Sequence, residues 1–284
     1  MENFINLRVE RSFSDKLNAT FTFARQNIKQ LSITLLLLGF PLLVAGNILL
    51  LYMQTTLQQT LMENSGAFNW DYLSTMMLSM SLLMLGYFWL HLITISYMAE
   101  YADGNRNISP TAVMNRAFAN LGKVLGAGII SVIIIAIGFV FLIIPGIYLS
   151  IVLSLLTLVI VMEGDPSFEA ISRCFYLIKG KWWSTFGLLI IMGIIVSMMQ
   201  FAFNIPTTII TFTKAFHQEL PTFDLTNILA NIFSTLGLAL IYPLSYIALA
   251  FQYFNLVELK ESAGLKLEIE QSANTVAENQ EGEY

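Results

Sequence analysis

The sequence predicts an all-α, polytopic integral membrane protein with six transmembrane helices and short amphipathic interfacial helices on the cytosolic side. Composition is the first reason: 56% of the 284 residues are apolar and 12% are charged, whereas about 25% are charged in a soluble domain. The second is a run of 39 residues without a charge between Lys123 and Glu163. As one helix at ~1.5 Å per residue, this run would be almost twice the ~30 Å of a bilayer core, so it must fold back.

The reversal in this run is predicted at Pro145-Gly146. Proline lacks an N–H and disfavours helical backbone at the preceding Ile144, and glycine accepts the conformations of a tight turn. A break there leaves two spans of about 20 residues, each long enough to cross a bilayer. The third and fourth spans are therefore predicted to form a membrane hairpin.

The N-terminal segment, residues 1–29, is predicted to be cytosolic and amphipathic. It precedes a full-length span, so a cleaved signal peptide is not expected. Ser12 or Ser14 is the expected N-cap of a helix over 14–28, with Lys16 on its charged face. The apolar stripe of this helix comprises Phe13, Leu17, Phe21, Ala24 and Ile28. The helix is expected either to lie on the membrane surface or to pack on the protein's own cytosolic loops.

The first two spans are predicted over 31–52, with a kink at Pro41, and over 72–97. The second span contains His91, the one histidine within a predicted span. An ionisable residue inside the bilayer is a candidate functional site. Alternatively, His91 is a structural residue whose neutral imidazole is hydrogen-bonded to a neighbouring helix.

The polar loops at 99–123 and 163–181 share one plan. Each is predicted to start a short amphipathic helix at a capping residue followed by proline, which is Ser109-Pro110 in the first loop and Asp165-Pro166 in the second. Trp182-Trp183 then fall at the membrane interface, where indole side chains prefer to lie.

The last two spans are predicted over 184–205, ending near a proline, and over 228–254, with a kink at Pro243. Residues 30–257 thus form the predicted six-helix transmembrane domain. Seven glutamates and two lysines in 258–284 predict an acidic, disordered cytosolic tail.

The distribution of basic residues predicts the orientation. Of 14 basic residues, 13 lie in the N-terminal segment, the two polar loops or the tail, and Lys214 alone lies on the opposite side. Basic residues near span ends stay in the cytosol, which places both termini there, and we expect a bacterial cytoplasmic (inner) membrane. Candidate contacts for anionic lipid are Arg25, Lys29, Arg116, Lys123, Arg173, Lys179 and Lys181. The alternative is that these basic residues only set the orientation of the protein in the membrane and bind no specific lipid.

The segments before spans one, three and five look like an internal repeat. Each combines an amphipathic helix, bearing an aromatic residue and an arginine, with a lysine at the membrane boundary. Three units of one surface helix and two spans would make a parallel repeat. Similar constraints at any cytosolic boundary also produce this pattern without a repeat.

Catalytic and metal-binding motifs do not emerge from the sequence. With His91 and His217 as its two histidines and Cys174 as its one cysteine, the chain predicts no metal site and no cofactor. No nucleic-acid partner is implied. The amides within the spans are Asn47, Gln200, Asn204, Gln252 and Asn255.

Three runs carry a resemblance to a known family. They are Ile144-Pro-Gly-Ile-Tyr148, Val159-Ile-Val-Met-Glu-Gly-Asp-Pro-Ser-Phe-Glu-Ala-Ile171 and Leu177-Ile-Lys-Gly-Lys-Trp-Trp183. The chain resembles the six-span membrane domain of some bacterial glycerophosphodiester phosphodiesterases and of related stand-alone membrane proteins of uncharacterised function. The likeness is best over 140–190 and looser over 13–262. In those enzymes the chemistry belongs to a separate soluble barrel, so the resemblance implies no activity for this chain.

The expected function is that of a non-enzymatic membrane protein, an interaction or envelope-support module. Its expected partners are the lipid bilayer and either another protein or further copies of itself. The alternative is a small-molecule or lipid transporter, in which His91 and the spans broken at Pro41, Pro206 and Pro243 line the path.

Overall fold

The computed structural model describes residues 5–62, 70–164, 167–217, 219 and 222–281. These residues form eleven α-helices and no strand, which confirms the all-α class. Six helical stretches within them are long and apolar enough to cross a membrane, as the six-span architecture requires.

The eleven helices follow the predicted order of surface helices and spans. Their bounds are α1 Phe13–Gln26, α2 Ile28–Leu38, α3 Phe40–Met62, α4 Trp70–Ala102, α5 Pro110–Phe141, α6 Ile143–Leu153, α7 Leu156–Glu163, α8 Ser167–Ile178, α9 Trp182–Phe216, α10 Leu225–Ile241 and α11 Pro243–Glu281. Two stretches that could cross a membrane comprise a pair of helices each, α6 with α7 and α10 with α11.

The chain divides into two compact units. Unit 1 comprises Met1–Phe23, Lys123–Leu188 and Ala248–Tyr284, and unit 2 comprises Ala24–Gly122 and Leu189–Ile247. Each unit is assembled from segments that are far apart in the sequence. Local periodicity therefore predicts the helices but not the units.

In unit 1, the hairpin of spans three and four reverses earlier than predicted. α5 ends at Phe141, and Leu142 is extended, with φ −163° and ψ 151°. Pro145 lies in the first turn of α6, where a missing N–H costs nothing because those donors have no intrahelical partner. The prediction of a turn at Pro145-Gly146 is therefore wrong, and the reversal is at Leu142.

Gly146 serves helix packing instead of the turn. A Cβ atom at Gly146 would lie 2.4 Å from the Phe139 ring, and one at Gly138 would lie 3.1 Å from the Cα atom of Gly146. These two glycines let α5 and α6 approach closely, as small residues commonly do between membrane helices.

The helix α1 packs on unit 1 through a different face from the one predicted. Its buried residues are Lys16, Thr20 and Phe23, whereas Phe21 from the predicted apolar stripe is 37% exposed. Placing Lys16 on a solvated face is therefore wrong, because neutral polar partners receive its ammonium group inside the unit.

Ser12 is the N-cap of α1. Its hydroxyl oxygen accepts a hydrogen bond from the Asp15 N–H at 3.2 Å. In return, the Ser12 N–H donates to the Asp15 carboxylate at 3.3 Å. This reciprocal pair satisfies donors at the start of the helix, and it selects Ser12 over Ser14.

In unit 2, glycines let α3 and α4 pack closely. A Cβ atom at Gly46 would lie 3.0 Å from the Leu83 side chain, and one at Gly86 would lie 2.9 Å from Leu43. The first membrane-length stretch is Phe40–Leu57, later than the predicted 31–52. The reason is a break at Gly39, which separates the shorter apolar helix α2 from α3.

Two helices extend through predicted boundaries. α5 runs without interruption from the predicted surface helix into span three, and its start is confirmed by the Ala112 N–H donating to the Ser109 hydroxyl at 3.2 Å. α9 contains Pro206 and continues to Phe216, so the predicted end of span five near Pro206 is wrong. The predicted helix start at Asp165-Pro166 lies outside the described residues.

The acidic segment that begins at Glu258 belongs to α11 as far as Glu281, and the disorder predicted for the tail stays a prediction. Its glutamate, lysine, leucine and alanine residues are good helix formers, which accounts for the continuation. A helix boundary lies at the position of the predicted kink, since Tyr242 separates α10 from α11 directly before Pro243.

Candidate functional sites

In unit 2, an ion-pair cluster ties the start of α5 to the end of α4. The Arg116 guanidinium lies 2.9 Å from the Glu100 carboxylate and 2.7 Å from the Asp103 carboxylate. The Asn105 side-chain amide also donates to Glu100, at 2.7 Å. The arginine of the first polar loop therefore anchors its helix to the preceding span.

In unit 1, a similar cluster ties α8 to the end of α7 and to the middle of α11. Arg173 donates to Glu163 at 2.8 Å and to Glu261, and the Tyr253 hydroxyl donates to Glu163 at 2.6 Å. Desolvation lowers the pKa of Arg173, but hydrogen bonds to Glu163 and Glu261 outweigh it and raise that pKa above its ordinary value. We call these residues, Glu163, Arg173, Tyr253 and Glu261, the α8 clamp.

The α8 clamp fixes which side chains α8 presents outward. The buried residues of α8 are Ala170, Cys174, Leu177 and Ile178. On the other side, Phe168 is 74% exposed and Tyr176 is 48% exposed. The Arg173 guanidinium and the Lys260 ammonium each lie 5.5 Å from the centre of the Tyr176 ring. The outer surface of α8 is thus aromatic with cations beside it.

Lys16 is a buried ammonium group in unit 1, with an exposed fraction of 2%. Its Nζ donates to Gln252 Oε1 at 2.6 Å and to Ser184 Oγ at 3.2 Å. Gln252 Nε2 donates in turn to Thr185 Oγ1 at 2.9 Å. Burial lowers the pKa of Lys16, and the charge of Lys181 lowers it further. Neutral oxygens, rather than a carboxylate, hold this cation.

A second set of contacts holds the N-terminal segment against α11. The Arg11 backbone N–H donates to Asn255 Oδ1 at 2.7 Å, and its guanidinium lies 5.1 Å from the centre of the Phe251 ring. Phe23 meets the same ring edge-on, with 6.1 Å between ring centroids. Sequence reasoning missed this role of the N-terminal segment, because the contacts join residues more than 200 positions apart.

His91 lies among tyrosines in unit 2. Its ring stacks on Tyr246 with 4.3 Å between centroids. Tyr246 adjoins Tyr242 at 5.9 Å, and Tyr242 adjoins Tyr87 at 5.5 Å. His91 Nε2 is buried and has no hydrogen-bond partner among the described residues. The structural alternative, a hydrogen bond to a neighbouring helix, is therefore not made at this nitrogen.

The amides of the spans separate into two groups. Gln252 and Asn255 contact the N-terminal segment, as described above. In unit 2, Gln200 Nε2 donates to the Ser234 carbonyl at 3.0 Å, and the Ser234 hydroxyl donates to Asn204 Oδ1. The sequence shows that these amides exist, but their separation depends on which helices pack together.

The seven predicted lipid contacts occupy different environments. Arg116 and Arg173 form the ion pairs above, and Lys123 Nζ donates to the Gly164 carbonyl at 2.8 Å. The exposed residues among the seven are Arg25, Lys29, Lys123, Lys179 and Lys181. Contact with anionic lipid stays a prediction for these residues. Within the described part of the chain, no three His, Cys, Asp or Glu side chains group together as a metal site would require.

The described residues contain six helical stretches long enough to cross a membrane. Ion pairs at the ends of these stretches and polar contacts join the helices. These features define a multi-pass α-helical membrane protein. Residues 30–256 match the domain of unknown function DUF7847, and the chain belongs to that family. No curated protein and no solved structure matches the chain. The match provides no link to the glycerophosphodiester phosphodiesterase type of membrane domain, so that likeness stays a resemblance.

Proposed function

We propose that this chain is a non-enzymatic, membrane-embedded interaction or envelope-support module that binds a partner protein through the outer surface of α8. The observation that carries the proposal is that the α8 clamp ties α8 to its neighbours while Phe168 and Tyr176 are exposed on its outer surface. Aromatic and arginine side chains dominate binding energy at protein interfaces. A surface held rigid before binding also loses less entropy when the partner docks.

Two sequence observations support this proposal. The positive-inside distribution favours a cytosolic position for α8 and both termini, in the inner membrane of a bacterium. The resemblance to a membrane domain whose enzymes keep their chemistry in a separate domain agrees with a module that acts through a partner.

Site-specific photocrosslinking in the native membrane tests this function. A photoreactive phenylalanine analogue at Phe168 is expected to give an adduct with one defined protein, and the same protein should be captured from Tyr176. Arg173→Ala should reduce both adducts, because it releases α8 from Glu163 and Glu261. Phe139, which is 46% exposed on the apolar helix α5, is the control position and should capture lipid. Capture of lipid alone from Phe168 and Tyr176 would contradict the proposal.

One observation favours a second candidate function, small-molecule or lipid transport. His91 Nε2 is a buried polar atom without a partner among the described residues, inside an apolar span. Unpaired polar groups within the bilayer are costly and commonly mark a substrate or ion path.

The test for transport is a substrate-dependent growth defect of a deletion strain that the wild-type gene corrects. His91→Ala should fail to correct it while the variant still accumulates in the membrane, whereas Tyr246→Phe, which keeps the stacked ring, should succeed. Equal correction by His91→Ala would exclude a path through His91.

A further inference from the structure

A groove that combines threonine hydroxyls and one asparagine amide with apolar side-chain atoms lies along α9 around and beyond Pro206 in unit 2. Its volume is about 460 Å³, and it is lined by Asn204, Thr207, Thr208, Thr211, Phe212 and Ala215. Four of these six residues carry a hydroxyl or an amide, and none is charged. The spacing of three or four residues places this lining on one side of the helix.

The groove offers both hydrogen-bond acceptors and hydrogen-bond donors. The Thr208 hydroxyl donates to the Asn204 carbonyl at 2.9 Å, and the Thr211 hydroxyl donates to the Thr207 carbonyl at 2.8 Å. Since each hydroxyl has used its hydrogen, its oxygen is left as an acceptor. Thr207 Oγ1 is buried without a partner in the described part of the chain, so its hydrogen has not been donated to another group. A ligand with hydroxyl groups, which both donate and accept hydrogen bonds, therefore fits this lining.

The charges beside the groove are already neutralised. Lys214 donates to the Asp224 carboxylate at 2.7 Å and to the Thr222 hydroxyl at 2.7 Å. The hydrogen bond from Lys214 is the main cause that lowers the pKa of Asp224, so the carboxylate stays ionised and paired. Because the lining supplies no countercharge, a charged ligand head would enter the groove unpaired. The groove therefore suits an uncharged head.

The surroundings of the groove are apolar and open to lipid. α9 is one of the membrane-length apolar helices. Phe212 is 71% exposed, Ile209 is 59% exposed and Ile205 is 43% exposed. A ligand that enters from the bilayer can place its polar head among the threonines while its tail stays along these apolar side chains.

We propose that this groove binds a lipid whose head is uncharged and carries free hydroxyl groups, as in an acylglycerol. The head donates hydrogen bonds to the Thr208 and Thr211 oxygens and accepts one from the Thr207 hydroxyl, and the acyl chains follow the exposed apolar side chains of α9. This site does not depend on the protein partner proposed for α8.

The probe is a diacylglycerol with a diazirine in one acyl chain, present at low mole fraction in phosphatidylcholine vesicles that contain the full-length protein. Labelling is expected in the α9 peptide that spans residues 204–215. Unlabelled dioleoylglycerol should compete for it, and phosphatidylglycerol should not. Thr207→Val together with Thr211→Val should lower the labelling by about tenfold, the effect of losing one or two hydrogen bonds. Thr213→Val, a substitution of the same type on the opposite side of α9, should leave it unchanged.

Competition by unlabelled dioleoylglycerol and phosphatidylglycerol on the wild-type protein tests the lipid site even if the double variant does not fold. Labelling spread over all lipid-exposed helices, or competed equally by phosphatidylglycerol, would overturn the proposal. Crosslinks between α9 helices of two copies, lost in the Thr207→Val and Thr211→Val variant, would also overturn it, because the groove would then be a contact between copies.

Discussion

Lys16 shows how a single buried cation can organise a terminal helix. Burying a charge is costly unless the group is hydrogen-bonded, and here Gln252 and Ser184 supply oxygens at 2.6 Å and 3.2 Å. Ser184 lies in the first turn of α9 and Gln252 lies in α11, so one ammonium group joins α1 to two other helices. Residue type alone suggests a solvated lysine, because lysines are seldom fully buried.

Replacing Lys16 by alanine is expected to release α1 from unit 1. The change removes two hydrogen bonds to a charged group and leaves Gln252 Oε1 without its donor, so we expect a loss of about 2 kcal/mol of stability. Thermal unfolding in detergent and limited proteolysis of the N-terminal segment measure it. Lys29→Ala, at an exposed lysine, is the control and should change little. Equal effects of the two substitutions would contradict the anchoring role.

Cys174 provides a probe of how firmly α8 is docked. Its side chain is fully buried, and burial raises the pKa of its thiol to about 12. Because the thiolate is the reactive form, alkylation by N-ethylmaleimide at pH 8 should be slow in the folded protein and fast after unfolding. Arg173→Ala should speed the reaction by loosening the α8 clamp. Lys179→Cys in a Cys174→Ala background is the exposed control, and rapid alkylation of wild-type Cys174 would show that α8 is not docked.

At the scale of the elements, prolines mark helix starts in this protein more than they mark kinks. Pro41 is the second residue of α3, Pro145 the third of α6 and Pro243 the first of α11. In a first turn, a missing N–H removes no helical hydrogen bond. Among the prolines in the described part of the chain, Pro206 is the exception, because it lies inside α9. A prediction that places the helix break at the proline itself therefore puts it too far towards the C-terminus.

The two arginine clusters show that the second and third copies of the predicted repeat make the same type of contact. Arg116 reaches back to Glu100 at the end of the preceding span, and Arg173 reaches back to Glu163 in the same way. Arg25, the corresponding arginine of the first copy, is exposed. The repeat itself stays a prediction, because each pairing also follows from placing an arginine beside an acidic span end.

Two glycines within helices offer a matched pair of substitutions. Gly146→Ala places a methyl group 2.4 Å from the Phe139 ring, so we expect it to cost about 1–3 kcal/mol by forcing α5 and α6 apart. Gly122→Ala meets nothing within 4 Å and should stabilise α5 by up to about 1 kcal/mol. Thermal unfolding of both variants tests this. Tolerance of Gly146→Ala without loss of stability would mean that the hairpin is not closely packed there.

For the whole molecule, the orientation predicted from basic residues can be tested with single cysteines in a Cys174→Ala background. An impermeant maleimide added outside intact cells should label Phe223→Cys, in the connection that carries Lys214, and should not label Asn105→Cys until the membrane is opened. Both positions have exposed side chains, so access to the reagent decides the result. External labelling of Asn105→Cys would show that the orientation is opposite to the predicted one.

The fold class and the six spans could be predicted because hydrophobic run length and charge placement are properties of local sequence. The N-cap at Ser109 and the helix boundary before Pro243 follow from equally local chemistry. The contacts of the candidate sites could not be predicted in this way. The amides Gln200 and Gln252 look alike in the sequence, yet one faces α10 and the other holds Lys16.

By itself, the sequence determined that this chain is a helical, multi-pass membrane protein, because bilayer thickness imposes one length and one composition on every span. Only the tertiary structure decided which face of α1 is buried, where the Leu142 reversal lies and which polar groups meet. Those outcomes depend on packing between segments that are distant in sequence. Each of the two units is built from such separated segments.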